Sequence, residues 1–153
     1  ALLTGLLPDA ALLAGPTPDD VARTDIARGL AVCHAIGLVD VGQAVVVQQG
    51  LVLGVEAIEG TDALILRAGA LQREGPAPIL VKAPKPAQSA LADLPTIGPQ
   101  TIASARAAGL RGLAFQAGGT ILLDRTTTIA AAEAAGIFLL AFNPADYIEG
   151  EPA

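Results

Sequence analysis

Gln43-Ala44-Val45-Val46-Val47-Gln48-Gln49-Gly50-Leu51-Val52-Leu53-Gly54-Val55 reads as two runs of β-branched and aliphatic residues folded back on a short turn that contains glycine. Such residues favour the pleated backbone, and a glycine between two of these runs supplies the conformation a tight connection needs. A hairpin at this point commits the chain to a sheet, and the segments on either side carry helix signals. Upstream, Thr17-Pro18-Asp19-Asp20 offers a cap, a proline at the first helical position and acids in the first turn, all of which start helices. The prediction is a helix over residues 18–36, with Ile26, Leu30 and Cys33 on its buried stripe and Gly37 as its stop. Residues 1–16 are apolar, close on the turn signal Gly15-Pro16, and are expected to form a short packing helix or a linker.

Downstream of the hairpin, Thr61 or Asp62 is positioned to cap a second helix that runs to about residue 71. Gly75-Pro76 breaks the chain before a short strand, Ile79-Leu80-Val81, and a helix is expected again over residues 99–108. Gly112-Leu113-Ala114-Phe115-Gln116-Ala117 and Thr120-Ile121-Leu122-Leu123 flank Gly118-Gly119 and predict a second hairpin. An alanine-rich helix to about residue 135, a strand over 137–142 and a frayed tail over 144–153 complete the expectation. Helices alternating with short strands and hairpins make an α/β fold, a single domain over residues 17–143 with a mixed sheet and flanking helices. The pattern does not specify strand order.

Composition excludes several classes of function. Hydrophobic residues make up 52% and charged residues 16%, so disorder is excluded. A net charge of −6 gives no basic field to attract nucleic acid. No apolar run reaches the roughly 18 residues of a membrane span. One cysteine, Cys33, and one histidine, His34, build neither a disulfide framework nor a zinc cluster. Cys33 is read as a core residue, His34 as a boundary residue, and the compartment as a reducing cytosol. A start without methionine or signal peptide fits a fragment or processed chain.

Polar chemistry concentrates in two places. The segment from Val81 to Pro99 sets Lys82, Lys85, Gln88, Ser89 and Asp93 among prolines that prevent a plain helix or central strand. Lysines offset phosphate charge and an acid holds magnesium or orients water, so this loop suits a diphosphate. The second place is the corner Glu59-Gly60-Thr61-Asp62, where helix-terminal amides meet anions and carboxylates meet a divalent cation. The amides that open the helix at Gly98-Pro99 are expected to point back at the same loop, and Arg67 is read as a solvated helix residue.

Four blocks in order carry a resemblance: Val41-Gly42-Gln43-Ala44-Val45-Val46-Val47, Val55-Glu56-Ala57-Ile58-Glu59-Gly60-Thr61-Asp62, Lys85-Pro86-Ala87-Gln88, and Asp93-Leu94-Pro95-Thr96-Ile97-Gly98-Pro99. Over residues 25–142 the chain resembles the C-terminal domain of the LpxI-type UDP-2,3-diacylglucosamine diphosphatase family. The resemblance implies a magnesium-dependent hydrolase of lipid A biosynthesis that splits UDP-2,3-diacylglucosamine into UMP and 2,3-diacylglucosamine 1-phosphate (lipid X). It also implies a missing N-terminal domain, the lipid held between the two domains, and peripheral contact with the cytoplasmic face of the inner membrane of Gram-negative bacteria. On this basis Asp93 is the expected catalytic group, Asp62 and Asp93 the expected Mg2+ ligands, and Gly60, Thr61, Lys82, Lys85, Gln88, Thr96 and Gly98 the expected substrate contacts. The family loop reads Lys-Pro-x-Gln-Asp-x-Arg-x-Asp-x-Pro, whereas this chain has Ser89 at the first aspartate and Leu91 at the arginine. Those two departures leave room for an alternative, a nucleotide-sugar-binding or lipid-binding domain without catalysis.

Overall fold

The computed structural model describes residues 6–86 and 93–148. Six strands form one sheet in the order β1 (Ala11–Ala14), β8 (Phe138–Phe142), β6 (Gly112–Gln116), β4 (Ile79–Lys82), β2 (Ala44–Gln48), β3 (Leu51–Val55). The central β4, β6 and β8 run parallel, and antiparallel strands flank them on both sides. Helices cover both faces: α1 (Asp20–Leu38) lies on one, with α2 (Thr61–Gly69), α3 (Pro99–Ala108) and α4 (Arg125–Ala135) on the other. The expected α/β domain with a mixed sheet is the fold observed.

Alternation along the central strands divides the core between those faces. Val45, Val47, Ile79, Val81 and Ala114 meet Ile26, Leu30 and Cys33 of α1, while Val46, Leu80, Leu113 and Phe115 meet the helices opposite. A strand buried on both faces needs an unbroken apolar run, which is why Val45-Val46-Val47 and Ile79-Leu80-Val81 show no polar alternation. The β2–β3 hairpin turns on Gln49 (φ 49°) and Gly50 (φ 82°), two successive positive-φ residues of the kind that match the twist of paired strands.

Several expectations need correction. Within residues 1–16, the stretch expected as helix or linker contains β1, which pairs antiparallel with β8; apolar content alone did not distinguish strand from helix. Helix α1 is capped by Asp19, whose Oδ1 accepts from Ala22 N at 2.9 Å, and it continues through Gly37 to Leu38. Gly37 ends nothing. It is buried, and a Cβ there would lie 3.0 Å from Pro86 Cδ, so it lets the 84–86 segment pass against the helix. The cap position of α2 is Gly60, at φ 90°, and neither Thr61 nor Asp62 caps it.

The second hairpin does not form. Strand β6 stays in the main sheet, while β7 (Ile121–Leu122) pairs in parallel with β5 (Thr96–Ile97) in a separate two-stranded ribbon. Gly118-Gly119 is a turn between two different sheets, because β6 already has β4 and β8 on its two edges. Residues 144–147 of the expected tail form a 3-10 turn capped by Asn143, with Tyr147 edge-on to Phe142 at 5.5 Å.

Candidate functional site

The end of the sheet where β4 finishes gathers most of the polar residues singled out in the sequence. β4 delivers Lys82 into the interior with 5% of its surface exposed, and its Nζ donates to the Thr96 carbonyl at 2.9 Å. Burial pushes the Lys82 ammonium below its usual value, and the charges of Glu56 and Asp62 act against that shift. An ammonium has three donors, and Thr96 takes one of them. Lysine is seldom buried, and here it is buried with two acidic side chains close enough to act on its charge.

Glu56, absent from the residues expected from sequence, organises the surroundings. Its Oε1 accepts from Gln43 N at 2.9 Å and its Oε2 from Thr61 Oγ1 at 2.7 Å, which ties the start of β2 to the start of α2. Gly42 makes this possible, since a Cβ there would sit 2.2 Å from the Glu56 carbonyl oxygen. Thr61 is thus committed to Glu56, and the first turn of α2 has no side-chain cap. Asp62 is exposed and accepts from Ser104 Oγ on α3 at 3.2 Å. Glu56 carried a signal that could have found it: an acid directly after a strand, five residues ahead of a helix-start threonine.

Asp93 is exposed, and its carbonyl accepts from Gln43 Nε2 at 3.3 Å. Lys85 pairs with Asp40, which raises its pKa; Asp93 and Glu56 add smaller contributions in the same direction. Glu56 therefore acts electrostatically on both lysines, with Asp62 acting on Lys82 and Asp93 on Lys85. Gly98 is buried at the cap of α3; its N–H is spent on Thr101 Oγ1 at 3.1 Å, and Pro99 has none. The amides of α3 are therefore a poorer anion cradle than its sequence implied, whereas the first turn of α2 has no side-chain cap.

Gln88, Ser89 and Leu91 lie outside the described residues. Arg67 donates to Glu59 and to the Val55 carbonyl, so its guanidinium is engaged away from Lys82 and Lys85. Cys33 is buried, donates to the Val81 carbonyl at 3.5 Å, and burial raises its thiol pKa to about 12. His34 is exposed on the outer side of α1. No helix among the described residues is long and apolar enough to cross a membrane.

Magnesium takes hard oxygen ligands and commonly needs only one or two protein carboxylates, the rest being water and substrate phosphate. Among the described residues no group of three His, Cys, Asp or Glu side chains gathers for a metal. Asp62 engages one carboxylate oxygen with Ser104 and is exposed, as is Asp93, so the donor chemistry fits a magnesium ion shared with a phosphate rather than a closed protein cage.

Comparison with known proteins agrees with the resemblance. The LpxI C-terminal domain matches residues 9–140. UDP-2,3-diacylglucosamine pyrophosphatase LpxI of Caulobacter vibrioides is 45% identical over 135 residues, covering 84% of this chain and 48% of that protein. The chain thus spans about half the length of the curated relative it matches. With a domain match over most of its length and a relative 45% identical over 84% of it, the chain belongs to the LpxI family.

Proposed function

We propose that this chain serves in the hydrolysis of UDP-2,3-diacylglucosamine to UMP and lipid X, as the C-terminal half of a two-domain enzyme of lipid A biosynthesis. The observation that carries the reading is Lys82, a buried ammonium at the end of β4 with Glu56 and Asp62 as charged neighbours, next to the uncapped start of α2. Such preorganised positive charge is worth most where charge develops on a diphosphate during its cleavage. Lys82 and Lys85 offset phosphate charge, and the α2 amides receive a phosphate oxygen.

Asp62 and Asp93 would hold magnesium, which when bound supplies Lewis-acid assistance to the diphosphate. Asp93 is also the group assigned to positioning the attacking water, since it is exposed where Gln43 fixes its backbone. Glu56 keeps Thr61 and Gln43 in place and maintains negative charge beside both lysines. The partner domain completes the lipid-binding side, and contact with the cytoplasmic face of the inner membrane is peripheral.

The test is magnesium-dependent release of UMP from UDP-2,3-diacylglucosamine by the full-length protein. Asp93→Ala is expected to lower the rate about 100-fold or more; an unchanged rate removes Asp93 from the chemistry. If the wild type releases no UMP and Ser89→Asp with Leu91→Arg restores release, the chain is a binding domain that has lost catalysis.

A further inference from the structure

One polar atom of Gln43, the residue just before β2, has no partner. Its N–H donates to Glu56 Oε1 at 2.9 Å. Its carbonyl accepts from Ala83 N at 3.2 Å and from Cys33 Sγ at 3.7 Å. Its Nε2 donates to the Asp93 carbonyl at 3.3 Å. Its Oε1 is buried and has no partner. Leaving a buried acceptor unmade costs stability, so a side chain fixed at every other atom but open here needs an explanation.

The bond to Asp93 also sets the orientation of the carboxamide. Turning the amide over would place oxygen against the Asp93 carbonyl oxygen, two acceptors facing each other, so the nitrogen belongs there and the oxygen is the open end. Thr120 Oγ1 is the other buried side-chain atom without a partner among the described residues, but Thr120 has 0% of its surface exposed and offers a ligand no approach. Gln43 keeps partial exposure and adjoins Asp93, which is exposed.

We infer that Gln43 is a ligand-recognising residue of this site, its Oε1 accepting a hydrogen bond from an N–H or O–H donor of the bound nucleotide-sugar. The inference rests on the nucleotide-sugar reading above and deepens it. The donor is a group of the base, the ribose or the hexose, and the diphosphate is excluded because its oxygens at neutral pH are acceptors. A site that is built to pair with a donor rejects analogues that lack it, because the acceptor is then buried unpaired. Gln43 would in this way contribute to specificity for the non-phosphate part of the ligand while its Nε2 holds the Asp93 backbone in place.

The experiment is titration calorimetry on the full-length protein with pyrophosphate, UDP and UDP-glucosamine, comparing wild type with Gln43→Leu. A loss for UDP about tenfold or more greater than the loss for pyrophosphate, which reads out the freed Asp93 backbone, supports the inference and assigns the donor to the uridine part. A comparable loss confined to UDP-glucosamine supports it and assigns the donor to the hexose. Losses for UDP and UDP-glucosamine no greater than that for pyrophosphate, or no loss for any of the three, overturn it while leaving the proposed function standing. A wild type that binds neither UDP nor UDP-glucosamine overturns both readings together. If Gln43→Leu does not fold, the carboxamide resonances of Gln43 in the wild type decide: they shift on saturation with UDP or UDP-glucosamine but not with pyrophosphate, and no shift overturns the inference.

Discussion

A glutamine stands at each end of β2, Gln48 as its last residue and Gln43 just before its first, and the two are treated in opposite ways. At one end Gln48 is 1% exposed and fully engaged: Nε2 donates to the Arg73 and Pro76 carbonyls at 2.8 and 2.9 Å, and Oε1 accepts from Arg73 N at 2.8 Å. Beside it Asp25, 1% exposed on α1, accepts from Gln49 N at 2.9 Å and Gly50 N at 2.7 Å, fastening the hairpin turn. At the other end Gln43 leaves Oε1 unpaired, and Lys82 is a charge whose burial is only partly compensated. Buried polar groups that are satisfied serve stability, whereas those left short of partners retain capacity for a ligand. The difference separates a structural pole of the domain from the pole proposed above as the functional one.

The largest expected effect lies at the functional pole. Lys82→Met removes the buried charge and is expected to lower UMP release about 100-fold or more while leaving Tm unchanged or raised, because desolvation of the ammonium no longer opposes folding. A fall in Tm alongside the lost activity would place Lys82 with the structural groups and break the comparison.

At the structural pole the signs reverse. Asp25→Ala strips two amides of a carboxylate acceptor and is expected to cost about 3 kcal/mol in urea unfolding, with turnover retained at temperatures where the variant is folded. Gln48→Ala leaves the Arg73 and Pro76 groups without their partner and is expected to cost about 2 kcal/mol by the same measurement. Loss of substrate affinity in either variant would mean that the two poles are coupled through β2.

A smaller effect belongs to Asp19, which caps α1 and accepts a forked pair of bonds from Arg111 at 3.1 Å each. Its hydrogen bond with Arg111, then that with Ala22, holds its carboxyl below the usual 3.8. A depressed folded-state pKa contributes stability that is present above the unfolded value and lost as pH falls through the folded one. Asp19→Asn keeps a capping side chain, so the Tm difference from wild type is expected at neutral pH, to shrink with added salt, and to vanish as pH drops below 3.8. The smallest expected effect is none: Cys33, buried and with its thiol pushed up to about 12, is expected to resist alkylation at pH 8 in the folded protein and to react only on unfolding.

By itself the sequence determined the elements whose signals are local. Successive valines around Gln49-Gly50 specified the β2–β3 hairpin, Pro99 and the residues after it specified α3, and the apolar run 79–81 specified a strand that delivers Lys82. Four ordered blocks were enough to place the chain in its family. Only the tertiary structure decided what depends on partners distant in sequence. Residues 11–14 became a strand because the free edge of β8 was there to pair with, and Gly118-Gly119 became a turn between sheets because β6 had both edges occupied. Glu56 gained its role from Gln43, thirteen residues earlier, and Thr61, five later; Gln43 stands out because its other polar atoms are held by residues from four other parts of the chain. Hydrogen-bond satisfaction and desolvation are properties of the assembled interior, so no local pattern distinguishes the glutamine that braces a turn from the one left open for a ligand.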